Sequence, residues 1–491
     1  MKNLKFFLFA FILLVSCNKK DQDDALINLE GDLELSDFVW KGMNQYYYWQ
    51  EQVPNLSDDK ATDRNAYAQF IQANSNPDQF FESLLFTDDR FSWIVDDYIA
   101  LENSFQGIVA SNGVEFSLLR QSEGSNDLVG WVKFIHPDSD ASEKEIQRGD
   151  LFTHVNGQEL NVDNYQDLLY GENLTYTLGM ADYLEGNYNL NGNAVELTKE
   201  ENFQKNPLYI QEVYEYDSQR IGYLMYNQFA SSFNEALNET FAEFRSQSIT
   251  DLILDLRYNR GGSISTCTYL ASLITGQFTG EIFAQELWNP KLTTYWEEND
   301  EESLYNRFTD QIKDGNTLNS LRLNRVFILT SQETASASEL LINGLAPYIE
   351  VIQIGDATVG KNVGSITLYD YIDNNRTKNP NHFYAMQPIV LAIANSEGFA
   401  DYTDGLTPNI ALKEDRKNAG ILGDPREQLL AEALSQIVVE EEEDVTSKRK
   451  NYGTDLLGPL FDDRYLLQEQ RLIIDTYKSK PLFKKHNESQ P

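Results

Sequence analysis

Leu254-Asp255-Leu256-Arg257-Tyr258-Asn259-Arg260-Gly261-Gly262 reads as the end of a buried strand that runs into a double-glycine turn. In sheets covered by helices, ligands bind at the carboxyl ends of the strands. Glycines at that edge let backbone N–H groups approach a substrate closely. The plainer alternative is a tight strand-to-helix turn with no chemistry. Outward from this stretch the pattern alternates. Gly222–Phe229 is strand-like, Phe233–Ser246 helical, Asp251–Leu256 a strand and Thr266–Thr275 a helix. Arg325–Thr330 then reads as a strand, Ser338–Ala346 as a helix and Glu350–Ile354 as a strand. Such alternation predicts an α/β core, a sheet covered by helices.

The chain has 491 residues, length enough for roughly three domains of about 150 residues. Residues 35–104 form a small helical domain by this reading. Phe38, Trp40, Met43, Tyr46, Tyr47 and Trp49 fall largely at helical spacing, a stripe that reads as core packing. Residues 105–190 change to strand alternation, as in Val114-Glu115-Phe116-Ser117-Leu118 and Val129–Ile135. Residues 200–430 carry the α/β core, with a charged stretch at 287–319 expected to be a surface insertion. An acidic and polar tail is expected over 431–491, with the run Glu440–Asp444 as a solvated segment. No internal repeat is visible.

Composition excludes several classes. Lys and Arg number 39 against 77 Asp and Glu, a net charge of -38. That excludes general nucleic-acid binding, which needs a cationic face. Plentiful Tyr and Phe, 27 of each, exclude a disordered chain. Only Cys17 and Cys267 are cysteines, so neither a disulfide scaffold nor a cysteine-rich metal site is expected. The start of the chain has a charged n-region, an apolar run Phe6–Val15 too short to span a bilayer, and then Ser16-Cys17. Leu14-Val15-Ser16-Cys17 resembles a bacterial lipobox, which implies a leader over 1–17, lipidation at Cys17 and a polar tether over 18–34. The implied location is the cell envelope, with the membrane reached through the lipid.

Two more segments carry possible chemistry. Thr334-Ala335-Ser336-Ala337-Ser338-Glu339 follows a strand and opens a helix. A serine there has backbone N–H groups and the positive helix end beside it, which suits a developing oxyanion. Taken alone, Ser336 or Ser338 reads better as only a helix cap, with Glu339 supplying part of a capping box. Gly355-Asp356-Ala357-Thr358-Val359-Gly360-Lys361-Asn362 nearly spells a phosphate-binding loop. Asn362 stands where that loop needs a hydroxyl, and a strand rather than a helix follows, so nucleotide binding is rejected. A serine nucleophile needs a base. None of His136, His154, His382 and His486 sits in a glycine-framed loop or at a helix start. Lys361 qualifies if burial lowers its pKa toward neutrality, and otherwise it is a solvated loop lysine.

These motifs together resemble the C-terminal processing peptidases, also called tail-specific proteases. That family has a strand ending in Asp-Leu-Arg-x-Asn-x-Gly-Gly, then Ser-Ala-Ser-Glu, then Gly-Lys 25 residues after the first serine. Asp255–Gly262, Ser336–Glu339 and Gly360-Lys361 match in order and spacing, and Gly405-Leu406-Thr407-Pro408 fits a later Gly-x-x-Pro. The resemblance implies Ser336 as nucleophile, Lys361 as general base, and an oxyanion hole from the amides of Gly261 or Gly262 and of Ala337. It implies polypeptide substrates and no metal or other cofactor. Many members carry a glutamine four residues after the lysine; Ser365 stands there instead and is the implied third catalytic position. Residues 105–190 resemble the PDZ domain of such enzymes, with Arg148-Gly149-Asp150, a strand and then Asn156-Gly157. In that case Gly113 and Val114 would receive a peptide carboxylate on backbone amides. The rival reading is a PDZ-bearing, peptide-binding lipoprotein with an inactive peptidase core.

Overall fold

The computed structural model describes residues 32–217, 219–313, 315–438 and 471–474. Cys17 and the expected leader lie outside the described residues. The helix Asp32–Tyr46 buries Phe38, Trp40, Met43, Tyr46 and Tyr47, so the aromatic stripe is core packing. Helices Arg64–Gln72 and Pro77–Ser83 start at Asp63 and Asn76, whose side chains accept from first-turn amides. Those amides have no partner inside the helix. This helical region has no core of its own: Met43, Tyr47 and Phe81 share one apolar cluster with Leu270, Leu340 and Met386. Strand Trp93–Val95 also pairs antiparallel with Ala385–Gln387.

The second unit is a six-stranded antiparallel sheet in the order Val114–Arg120, Leu128–Ile135, Leu151–Val155, Thr175–Leu184, Asn187–Thr198, with the short strand Gln158–Glu159 paired to Leu151–Val155. Its core holds Val114, Leu118, Val132, Phe152 and Tyr165. The Asn156-Gly157 turn forms as expected, with φ of 52° and 77°, and closes Val155 onto Gln158. The boundary at 190 is corrected. It cuts the strand Asn187–Thr198, and Glu200–Gln204 still pairs with Ile108–Ser111. The polar, exposed face of that strand hides its role from a hydropathy reading.

The core has two sheets. The first runs Leu208–Tyr216, Gln219–Tyr226, Asp251–Asp255, Arg325–Thr330, Glu350–Gly355, Ile410–Ala411, parallel after its first pair. Helices Ile264–Thr275 and Ala337–Leu345 carry the cluster between it and a second sheet. The second sheet runs Gly261–Ser263, Arg471–Ile473, Val363–Ser365, Ile389–Asn395, Ile282–Trp288, Tyr305–Arg307. Two expectations are corrected here. The stretch 287–319 is part of this core: Leu292, Trp296, Leu304, Phe308, Ile312 and Leu318 are buried in the main cluster. Its charges occupy the outward faces, while Leu292 and Trp296 sit one turn apart and face inward. The tail boundary at 431 cuts a helix, Gln428–Ile437, whose Leu430, Leu434 and Ile437 pack on Ile253, Phe327 and Leu329. The acidic run just beyond it obscures that periodicity.

Glu286, inside the second sheet, accepts from Trp288 Nε1 at 3.0 Å and from Asn306 Nδ2 at 2.9 Å. Burial pushes its carboxyl from 4.5 up to about 7, against those two hydrogen bonds. The folded state therefore holds a proton that the unfolded chain releases, so stability falls as pH rises from 4.5 to 7. Glu286→Gln keeps an acceptor and removes the titration. Urea unfolding across that pH range is expected to show wild type losing on the order of 3 kcal/mol relative to the variant. A difference independent of pH would mean that the carboxylate folds ionised.

Candidate active site

The strand Arg325–Thr330 ends in a short loop, and the helix Ala337–Leu345 begins at Ser336. The loop lies on the end of the neighbouring strand. Thr334 Oγ1 donates to Leu256 O at 2.9 Å, Ala335 N to Asn259 O at 3.1 Å, and Ser331 Oγ to Arg257 O. Ser336 has φ 65° and ψ -113°, a conformation that costs a side-chain-bearing residue free energy and persists only where neighbours impose it. The Ser336 Oγ is buried and has no hydrogen-bond partner among the described residues. The turn still has the form of a capping box, with the Ser336 side chain facing the Glu339 backbone amide and the Glu339 carboxylate taking the Ser336 amide, but the hydroxyl makes no hydrogen bond of good geometry there.

Glu339 joins this turn to the Gly360-Lys361 loop. One carboxylate oxygen accepts from Ser336 N at 2.6 Å and from Lys361 N at 2.9 Å. The other accepts from Thr358 Oγ1 and Gly360 N, both at 2.6 Å. Burial pushes the Glu339 carboxyl up from its ordinary range, opposed by these four bonds. Gly360 has φ 88°, and a Cβ there would sit 2.1 Å from Thr403 O, so only glycine fits. Lys361 is 2% exposed, and its Nζ lies 4.8 Å from the centre of the Phe91 ring, brought in by the N-terminal helical region. The expectation of Glu339 as a capping-box residue captures only one of its four bonds.

The double-glycine turn is held by Asn259, whose Nδ2 donates to Tyr226 O at 2.9 Å and whose Oδ1 accepts from Gly261 N at 2.8 Å. The Gly261 amide is therefore engaged within the turn. Gly262 has φ 142°, and a Cβ would lie 2.3 Å from Phe229 O. Ala337 occupies the first position of its helix, where an amide has no intrahelical acceptor. Ser365 ends the strand Val363–Ser365, pairing with Ile389 and Ile473 through its main chain. His136 bonds Glu115 and His382 bonds Asp370, each at 3.2 Å, and His154 neighbours Thr153 Oγ1. None of these contacts involves the serine turn.

Arg257 is fully buried with three carboxylates, Asp255 at 2.8 Å, Glu427 at 2.8 Å and Glu414 at 3.1 Å. Arg148 of the second unit reaches the same cluster, 2.7 Å from Glu414 and from the Tyr258 hydroxyl. Burial works against Glu414 as an anion, but Arg148 and Arg257 hold its carboxyl down at about 2. A second cluster sits beside the serine turn. Glu333 bonds Arg260 at 2.7 Å, Lys133 at 3.1 Å, and the Ser117 hydroxyl. Burial is again outweighed, here by Lys133 and Arg260, which hold Glu333 at about 2. These contacts border a cleft of about 910 Å³ lined by Val114, Phe116, Lys133, Arg260 and Gly261 among others. Of the expected carboxylate loop, Gly113 packs behind the cleft against Ser139. Its amide takes Ser111 Oγ and that of Val114 takes Asn112 Oδ1, each at 3.1 Å. A peptide carboxylate at this loop must displace both.

The family model for Peptidase family S41 matches residues 220–378, and that for the Peptidase S41 N-terminal domain matches residues 34–93. Both matches are to models of peptidase family S41. The match to Peptidase family S41 supports a serine-type endopeptidase with polypeptide substrates. The two matches bracket the serine turn, the lysine loop and the region that brings in Phe91. No curated protein matches the chain. A crystal structure of an S41 protease from Bacteroides fragilis NCTC 9343 aligns with 22% identity over 82% of this chain and 96% of that one, at a TM-score of 0.58. The photosystem II D1 C-terminal processing protease aligns with 18% identity over 80% of this chain and 95% of that one, at a TM-score of 0.49. Mature CPAF complexed with lactacystin aligns with 13% identity over 79% and 94%, at 0.42. The first of these supports the fold described above.

Glu339→Gln puts an amide NH₂ against two of the four donors now bound by the carboxylate. The loss is expected to cost on the order of 3 kcal/mol in urea unfolding, since buried donors left without acceptors cost about 1–3 kcal/mol each. Unchanged stability would show that the two loops are held by other contacts.

Proposed function

We propose that this chain is an exported, lipid-anchored endopeptidase of the S41 type in which Ser336 is the nucleophile and Lys361 the general base. The observation that carries the reading is the shared Glu339 oxygen. It holds the backbones of Ser336 and Lys361 together while leaving the serine hydroxyl without a partner. A lysine acts as a base only when neutral, and the burial of Lys361 supports that role. In the mechanism, the lysine amine takes the Ser336 proton as Oγ attacks a peptide carbonyl. The amides of Ala337 and Gly262 receive the oxyanion, since that of Gly261 is held by Asn259 Oδ1. The C–N bond then breaks as the ammonium returns a proton to the leaving nitrogen, and water hydrolyses the acyl-enzyme by the same route. Ser365 serves as a supporting third position near the base strand.

The PDZ-like reading of the second unit rests on its edge strand. Val114–Arg120 is an outermost strand and lines the cleft that reaches Gly261, so an extended peptide can pair with it on the way to the serine. Lipid attachment at Cys17 rests on Leu14-Val15-Ser16-Cys17 and places the enzyme in the bacterial cell envelope.

Digestion of an unfolded protein by the form lacking residues 1–17, read by mass spectrometry, tests the chemistry. Ser336→Ala is expected to abolish cleavage, and Lys361→Ala to slow it by about a hundredfold or more. Cleavage unaffected by Lys361→Ala would overturn the assigned base. A folded wild type inert on several unfolded proteins would favour the peptide-binding alternative. In cells, Cys17→Ala is expected to move the protein from the membrane pellet to the soluble fraction, and continued pelleting would reject the anchor.

A further inference from the structure

The strand Arg471–Ile473 is inserted between the two strands that carry the catalytic machinery. It pairs in parallel with Gly261–Ser263, placing Arg471 opposite Gly261, Leu472 opposite Gly262 and Ile473 opposite Ser263. On its other side Ile473 pairs with Ser365, and Ile474 N donates to Ser365 O at 3.4 Å. The first flanking strand is the double-glycine turn itself, and the second begins two residues after Lys361. Ile473 is 8% exposed, and Ile474 packs against the main apolar cluster.

The site around this strand is closed. Ser336 and Ala337 have no exposed surface, Lys361 has 2%, and Gly261, Gly262 and Ser365 are buried. A serine that acylates on a polypeptide must meet an extended backbone within bonding distance of its hydroxyl. The extended backbone between the glycines and the lysine strand is the chain's own. Each flanking strand is also anchored without it. Phe229 bonds both Gly261 O and Ser263 N, at 3.0 and 2.9 Å, and Val363–Ser365 pairs with Ile389–Asn395. Residues 471–473 therefore fill a slot bounded by two independently held walls.

We infer that the slot between Gly261–Ser263 and Val363–Ser365 is a peptide-strand site, and that residues 471–474 are its resident, substrate-like ligand. The inference rests on Ser336 as nucleophile for its functional meaning, though not for the binding itself. Main-chain pairing supplies affinity in such a site and side-chain pockets supply preference. An apolar residue is favoured at the position of Ile473. A tethered segment at millimolar effective concentration competes with any substrate that arrives from solution, so the full chain works below its capacity.

The test compares the full chain with its Ile473→Asp variant, which would bury a charge to keep the strand in place. Cleavage of an unfolded protein is expected to rise about tenfold in kcat/KM as the tethered competitor is lost. A synthetic peptide of residues 468–477 is expected to raise KM for the variant without changing kcat. In the Ser336→Ala background, anisotropy of the labelled peptide is expected to show binding to the Ile473→Asp form and little to the full chain. If Ile473→Asp fails to fold, a chain ending at residue 470 takes its place. A folded variant or shortened chain that is no faster and does not bind the peptide overturns the inference. Peptide binding in that background with no cleavage by any form would leave the strand site standing and instead overturn the reading of Ser336.

Discussion

The carboxylate of Glu339 is the point on which the site depends. Four donors from two loops converge on it, and the loops leave different strands of the first sheet, Arg325–Thr330 and Glu350–Gly355. Backbone donors this deeply buried need acceptors. A carboxylate meets all four at once because each oxygen has two lone-pair directions. The bond to Ser336 N also helps to hold that residue at positive φ, a conformation that its own side chain disfavours. Hydrogen bonds to a charged group contribute about 1.5–3 kcal/mol each, enough in sum to offset a strained serine.

Around that point two buried ionic clusters tie the second unit to the same loops. Glu333 and Arg260 each lie within three residues of Ser336 or Gly262, and Glu333 pairs with both Arg260 and Lys133. Arg148 joins Glu414 and Tyr258, next to the Arg257 cluster. Breaking one partner of a buried ion pair leaves an uncompensated charge and costs more than the pair contributes. The second unit is thus seated by contacts that are expensive to lose singly. Each ends on a residue of the glycine turn, the serine loop or the strand end beneath them.

The α/β alternation, the helical start and the antiparallel unit were legible in the sequence because each keeps a regular apolar period. The serine, lysine and glycine positions were legible as spaced motifs. What escaped reading depends on partners distant in the chain. Glu333, Glu414 and Glu427 look like ordinary surface acids until Lys133, Arg148 and Arg257 are brought to them. Trp296 and Phe308 hide in a charged stretch because only their spacing, not the local hydropathy, marks the inward face. Leu472 and Ile473 sit far beyond an acidic run, and no local pattern says which strands they join.

A protease core faces two opposed demands. Its nucleophile and base must be held in a dry, close-packed setting, where fixed dipoles act most strongly. Yet a polypeptide must be able to enter that setting. A slot filled by a strand reconciles them, because strand-to-strand exchange replaces main-chain hydrogen bonds one for one. The walls keep their places, since Phe229 and Ile389–Asn395 hold them from outside. What changes on exchange is mainly the side chain opposite Ser263 and Ser365, now Ile473. Selection among substrates then falls to that side chain's fit and to the edge strand at the mouth of the cleft, while Glu339 and the glycine turn stay as they are.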